Sequence, residues 1–258
     1  MTDLECYINT KGFIRFLRER GEIDLAHKNL ALGGDLRSST PRIMSALTQA
    51  IEDSECNVLF CGNVPTPALA YYALCKDVPS IMVTGSHIPG DRNGIKFTKK
   101  TGEILKSDEN DILRNVELAR EEEYAKPQQE SLFNDKGMFK ENPRLPDTGI
   151  ENEVSNMYIH RYLDIFKNKP LLGKKIVLYQ HSAVGRDLMQ VILEGLGSTV
   201  IPLGRSRTFI AVDTEKITND IILFLEDTAR RHEPFAIVST DGDSDRPLVA
   251  DENGQFVP

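Results

Sequence analysis

The 258-residue sequence has no basic tract, no C-x-x-C pair among its four cysteines, and no apolar run approaching a membrane span. Each absence excludes a class. A formal net charge of −8 with no basic run to offset it argues against a nucleic-acid partner. Cys6, Cys56, Cys61 and Cys75 lack the spacing of a zinc or redox motif, and three of them sit in or near apolar segments, so they read as reduced core residues of a cytoplasmic protein. No membrane partner is expected without a long apolar segment, and Met1-Thr2-Asp3-Leu4-Glu5 has neither the basic region nor the apolar core of a secretory leader. What the chain does have is 40% hydrophobic residues and length enough for two ordinary domains.

Short apolar runs alternate with amphipathic stretches. Residues 29–32, 57–61 and 81–83 read as strands. A helix over residues 4–20 precedes them, and Ser39 or Thr40 can cap the next helix, with Pro41 at its first position. Pro65-Thr66-Pro67 opens another. Residues 95–105 read as a strand pair turning at Lys100-Thr101-Gly102, followed by a charged helix over about 107–124. Residues 125–149, polar and broken by prolines, read as a connection that either crosses the first domain or extends from it. Strands at 175–179, 199–203 and 235–238, with helices after Gly185 and over about 214–231, then repeat the plan. The spacing predicts an α/β protein of two consecutive α/β domains, residues 1–149 and 150–258, each a mainly parallel, mixed sheet covered by helices. The shared order of strands and helices suggests structural duplication.

Two loops carry the chemistry. Ile81-Met82-Val83 runs into Thr84-Gly85-Ser86-His87-Ile88-Pro89-Gly90-Asp91-Arg92-Asn93-Gly94-Ile95-Lys96, where the glycines and Pro89 force sharp turns and expose Ser86. A serine at a strand end with His87 and Lys96 nearby suits a hydroxyl that carries a phosphoryl group. Phe235-Ala236-Ile237-Val238 runs into Ser239-Thr240-Asp241-Gly242-Asp243-Ser244-Asp245-Arg246-Pro247. Three carboxylates at alternating positions project to one side of an extended chain and repel one another unless a cation joins them. Oxygen-only ligands favour Mg²⁺ or Ca²⁺ over zinc. Both loops follow the third strand of their unit, at the sheet ends where ligands collect in such folds. Two domains facing each other would bring Ser86 and the aspartates together.

The loops resemble the phosphoserine and metal loops of the α-D-phosphohexomutases, the phosphomannomutase/phosphoglucomutase superfamily. The first fits T-x-S-H-x-P-x-x-x-N-G-x-K and the second D-G-D-x-D-R, in the family's order. The resemblance implies that phosphorylated Ser86 donates its phosphoryl group to a hexose monophosphate, the hexose bisphosphate intermediate reorients, and the serine recovers the other group. The 1-phosphate and 6-phosphate are thereby interconverted. It implies Mg²⁺ bound by Asp241, Asp243, Asp245 and the phosphoryl oxygens of Ser86. Lys96 falls at a position of acid/base work or phosphoryl stabilisation. Arg246 would contact phosphate or sugar oxygens, or pair with the aspartates. His87 would bind the phosphoserine or hydrogen-bond the loop. Asp35 and Arg37 fit the family's G-x-D-x-R segment and are expected to brace the loop region.

Three rivals fail. Asp241, Asp243, Asp245 and Glu252 fit EF-hand positions, but Arg246 stands where glycine is required and a strand precedes the loop. A phosphatase with an aspartate nucleophile leaves Ser86 without a role, and the Ser86 surroundings are not G-x-S-x-G. The chain also departs from the family. Ile88 replaces the commoner asparagine, no T-S-G-x-R-G segment precedes Asp35, and the sequence stops at Pro258, before the family's sugar-selecting third and phosphate-binding fourth domains. The resemblance therefore implies either the catalytic half of a mutase or a non-catalytic metal- and phosphate-binding fragment, with little turnover expected from this chain by itself.

Overall fold

A computed structural model describes residues 1–141, 143–146 and 149–257; residues 142, 147 and 148 of the connection and residue 258 lie outside the described residues. The elements run α1 (Asp3–Glu19), β1 (Asn29–Gly34), α2 (Thr40–Asp53), β2 (Asn57–Asn63), α3 (Thr66–Lys76), β3 (Ser80–Val83), β4 (Ile95–Lys99), β5 (Gly102–Glu103), a 3₁₀ turn at Lys106–Asp108 and α4 (Glu109–Ala125). They continue through α5 (Glu151–Ile165), β6 (Lys175–Tyr179), α6 (Arg186–Gly195), β7 (Thr199–Leu203), α7 (Asn219–His232), β8 (Ala236–Thr240), β9 (Pro247–Ala250) and β10 (Phe256–Val257).

Two five-stranded sheets result, ordered β2-β1-β3-β4-β5 and β10-β9-β8-β6-β7. In the first, β1 pairs in parallel with β2 and β3, and β4 is antiparallel to β3. In the second, β6 pairs in parallel with β7 and β8, and β9 is antiparallel to β8. Each sheet thus has its first strand between its second and third, the third at the centre, and an antiparallel fourth beyond the third. The duplicated plan expected from the sequence is present in the topology.

Alternation along the strands divides the first core. Leu30, Leu32, Ile81 and Val83 face one way, onto Phe13, Phe16 and Leu17 of α1 and Ile43, Met44 and Leu47 of α2. Ala31 and Met82 face the other, onto Leu69 and Tyr72 of α3. This is the period-2 rule applied to strands buried on both faces. α4 crosses α1 at Gly12, where a Cβ would stand 2.5 Å from Val116, so only glycine permits that approach. The described residues of the proline-rich connection pack back onto α1, where Leu4 N–H donates to the Gly137 carbonyl and Phe139 N–H to Asp3 Oδ2. Phe133 and Phe139 bridge each other and are buried in the α1–α2 core. In the second unit Val177, Ile237, Leu248 and Ala250 pack on Leu225 and Ala229 of α7.

Three sequence expectations change here. The helix expected from about residue 214 begins at Asn219, because Thr218 is extended and its side chain caps the Ile221 N–H. Cys6, Cys56 and Cys61 are buried, whereas Cys75 is exposed and so is not a core residue. α5 had no counterpart in the sequence reading. It buries Val154 with α3 residues and packs Met157 and Tyr158 beside Leu188 of α6, so it ties the two units together. Among the described residues no helix is long and apolar enough to cross a membrane.

Candidate active site

β3 ends at Val83 and β8 at Thr240, and the loops that follow them meet. Ser86 Oγ donates to Asp241 Oδ2 at 2.6 Å. The facing-domain arrangement expected from the sequence is therefore made by a direct hydrogen bond. Ser86, expected from its turns to be exposed, is instead buried at 6% exposure because its loop packs against the carboxylate loop. It has φ +50°, a left-handed conformation uncommon outside glycine, held by its N–H donating to Thr84 Oγ1 at 2.8 Å. His87 Nδ1 stands 3.5 Å from Ser86 Oγ, at the outer limit of a hydrogen bond.

Arg37 shapes this loop from beneath. It is fully buried, and its guanidinium uses all five N–H donors. Nε donates to Asp35 Oδ2, one terminal nitrogen to the Pro89 and Arg92 carbonyls, and the other to those of Ser86 and Ile88, at 2.7–3.1 Å. Asp35 also accepts from the Arg37 N–H and from the Thr40 and Thr84 hydroxyls. A buried charge so fully paired carries little desolvation deficit and fixes four carbonyls in place. Gly85 is required beside it: a Cβ there would lie 2.7 Å from the guanidinium carbon. The bracing role expected of Asp35 and Arg37 is thus made by backbone contacts.

Across the seam, Asp241, Asp243 and Asp245 each present a carboxylate oxygen within 4.8 Å of the others, the first two buried and the third exposed. Burial and the charges of Asp243 and Asp245 push Asp241 up to about 7, even though the Ser86 hydroxyl bond favours its anion. Burial alone would raise Asp243 too, but bonds from Lys96 and Thr66 outweigh it and hold that carboxyl below its usual range. Lys96 Nζ donates to Asp243 Oδ2 and Asp245 Oδ2, both at 2.9 Å. Partial burial works against the Lys96 charge, and the two carboxylates still hold it above the ordinary lysine value. Arg246 does not pair with the aspartates through its side chain. Its guanidinium pairs with exposed Glu215 at 3.0 Å, and only its backbone N–H reaches Asp241 Oδ1, at 3.3 Å.

The donor set fits a hard divalent cation. Asp243 Oδ1 is buried with no hydrogen-bond partner, a costly state for a carboxylate oxygen unless a cation takes it. Three carboxylates against one lysine also leave unneutralised negative charge. A cavity of about 410 Å³, lined by Thr66, Lys96, Phe97, Glu103 and Asp245 among others, opens beside the cluster. That volume lies within the range of small-molecule sites.

Two contributors had no signal strong enough to find. Thr66, read only as part of a helix start, donates its hydroxyl to Asp243 Oδ2 at 2.7 Å and its N–H to the Asp243 carbonyl at 3.0 Å. Phe209, from the irregular segment between β7 and α7, lays its ring over the Arg37 guanidinium with the carbon 4.0 Å from the ring centre. Each acts on a partner more than a hundred residues away in sequence, which no local pattern encodes.

Residues 1–123 match the family described as phosphoglucomutase/phosphomannomutase, alpha/beta/alpha domain I. A phosphomannomutase of Salmonella muenchen is 36% identical over 252 residues, which is 98% of this chain and 48% of that protein. One of Sinorhizobium fredii is 41% identical over 244 residues, 94% of this chain and 48% of that protein. A crystal structure of a phosphoglucomutase/phosphomannomutase family protein from Burkholderia thailandensis superposes with a TM-score of 0.71 at 20% identity, covering 100% of this chain and 52% of that one, a likeness of fold. The chain spans about half the length of the curated relatives it matches. Residues 1–123 thus match domain I of the phosphoglucomutase/phosphomannomutase family, and nearly the whole chain is similar in sequence to phosphomannomutases over about half of their length.

Proposed function

We propose that this chain supplies the phosphoserine and the metal-binding carboxylates of a phosphohexomutase that interconverts hexose 1-phosphate and 6-phosphate, with mannose phosphate as the first substrate to examine. The observation that carries the reading is the 2.6 Å contact between Ser86 Oγ and Asp241 Oδ2, which unites the two loops into one site. The names of the relatives from Salmonella and Sinorhizobium support the substrate class.

Ser86 is the residue that takes and gives the phosphoryl group. The Arg37 lattice holds its loop ready, so no ordering of that backbone is needed when the sugar arrives. Phosphorylation adds nearly two negative charges beside carboxylates that already repel one another. Asp241, Asp243 and Asp245 would hold Mg²⁺ together with the phosphoryl oxygens of Ser86, and that ion, when bound, neutralises charge on the transferring group. Lys96 adds a fixed positive charge on the cavity side of the cluster, beside the space where a sugar hydroxyl could approach. His87 lies beside the Ser86 hydroxyl, close enough to bind a phosphoryl oxygen there. Arg246, on an exposed pairing with Glu215, is available to exchange that carboxylate for a phosphate or sugar oxygen.

The test is incubation with mannose or glucose 1,6-bisphosphate and Mg²⁺, followed by peptide mass spectrometry. The modification is expected on Ser86 and absent in Ser86→Ala. Label on Ser39, Ser182 or Ser239 with Ser86 bare would sink the assignment.

A further inference from the structure

We propose that Phe209 is a positioning residue that sets the gap between the Ser86 loop and the carboxylate loop, an inference that rests on the phosphoryl-transfer reading of those loops. Its ring stands where the two units meet. It stacks on Arg37, the cation whose donors hold the carbonyls of the Ser86 loop. It also borders both loops directly. A Cβ built on Gly242 would lie 2.9 Å from the ring and 2.8 Å from the Ser86 carbonyl oxygen, and one on Gly90 would lie 3.3 Å from the ring. The missing side chains at Gly242 and Gly90 make the slot that the ring fills.

The segment that carries Phe209 is clamped. Ile210 N–H donates to Ser182 Oγ at 2.7 Å, Ser206 N–H donates to the His181 carbonyl at 2.9 Å, and Arg186 donates to the carbonyls of both His181 and Ser206. The same 181–184 turn holds the carboxylate loop. His181 Nε2 donates to the Thr240 carbonyl at 2.8 Å, and Val184 N–H donates to that of Gly242 at 3.0 Å. The segment bearing Phe209 is therefore tied to the backbone of the carboxylate loop through the 181–184 turn, and its ring is tied to the Ser86 loop through the face of a buried guanidinium. Phosphoryl transfer depends on sub-ångström placement of donor and acceptor, so this wedge acts on rate more than on sugar affinity. Leucine fills similar space without a π face for the cation.

The test is the single-turnover rate of Ser86 phosphorylation by glucose 1,6-bisphosphate with Mg²⁺, read by intact mass over a range of bisphosphate concentrations. Circular dichroism melts establish that each variant is folded. Phe209→Leu and Phe209→Ala are expected to slow the step by about ten-fold or more, with the half-saturating concentration within about two-fold of the parent, and Phe209→Tyr to restore the rate. A folded Phe209→Leu that reacts at the parental rate overturns the inference and leaves the site reading standing. So does an unchanged rate with a raised half-saturating concentration, which would make Phe209 a sugar contact. A parent chain that takes no phosphoryl group on Ser86 overturns the reading and the inference together.

Discussion

Ser86 and Asp241 are 155 residues apart in sequence and 2.6 Å apart in space. Each stands just beyond the third strand of its own sheet, one residue after Gly85 and one before Gly242, so the contact follows from two copies of one topology set face to face. One copy contributes a hydroxyl at that address and the other a carboxylate cluster.

The carboxylate cluster makes the first prediction. Asp243→Asn removes a charged ligand while keeping its shape, and leaves an amide where the unpartnered Oδ1 now stands. Mg²⁺ affinity, measured by calorimetry, is expected to fall by at least about ten-fold. An unchanged titration would contradict the metal assignment.

Arg37→Lys keeps the charge and loses the fork. An ammonium has three donors on a single nitrogen and cannot reach Asp35 and four carbonyls together. The expected cost is about 2–4 kcal/mol, seen as a lower melting temperature, with slower phosphorylation of Ser86. A lysine variant with parental melting and parental labelling would show that the lattice is not needed.

Gly242→Ala tests the seam without touching a titratable group. Gly242 does not need glycine for a positive φ; the constraint is the Ser86 carbonyl, 2.8 Å from any Cβ placed there. Backbone on that side cannot yield cheaply, so a cost of about 1–3 kcal/mol is expected, together with loss of Ser86 labelling at a temperature where the variant remains folded. Labelling at the parental rate in the alanine variant would refute this reading of the contact.

His181 gives a pH signature. Burial lowers its pKa below the ordinary histidine value, assisted by the Arg186 charge and resisted by the bond to Thr240. The stability it contributes is whole above the unfolded value of about 6.5 and declines as pH falls through that value toward the lower folded one, because the unfolded chain takes up the proton first. Melting temperatures between about pH 7.5 and pH 5.5 are expected to drop more steeply for the parent than for His181→Gln. Parallel slopes would mean that His181 is not held neutral.

The sheet plan was legible because each unit writes its strands as compact apolar runs, and β6 and β7 fell at their predicted ends. Ser86, Lys96 and the aspartates were legible because each loop is continuous in sequence. α5 was not. Its buried Val154 serves the first unit while Tyr158 and Met157 also face α6, so no single stripe marks a core face, and Ile150 at its start makes no side-chain cap. Thr66 shows the same limit in another form. Its proline neighbours announce a helix start, and nothing local tells that the hydroxyl meets a carboxylate 177 residues on.

The Arg37 lattice also bears on how freely this loop can drift. The guanidinium reads carbonyl oxygens at positions 86, 88, 89 and 92, a group that every amino acid presents alike. Side chains at those positions are invisible to it. The side chain of Ile88, whose carbonyl the guanidinium holds, shapes the surface of the loop and leaves its frame untouched. A loop braced through its backbone can accept new chemistry on its outer face over many generations while Ser86 keeps its place.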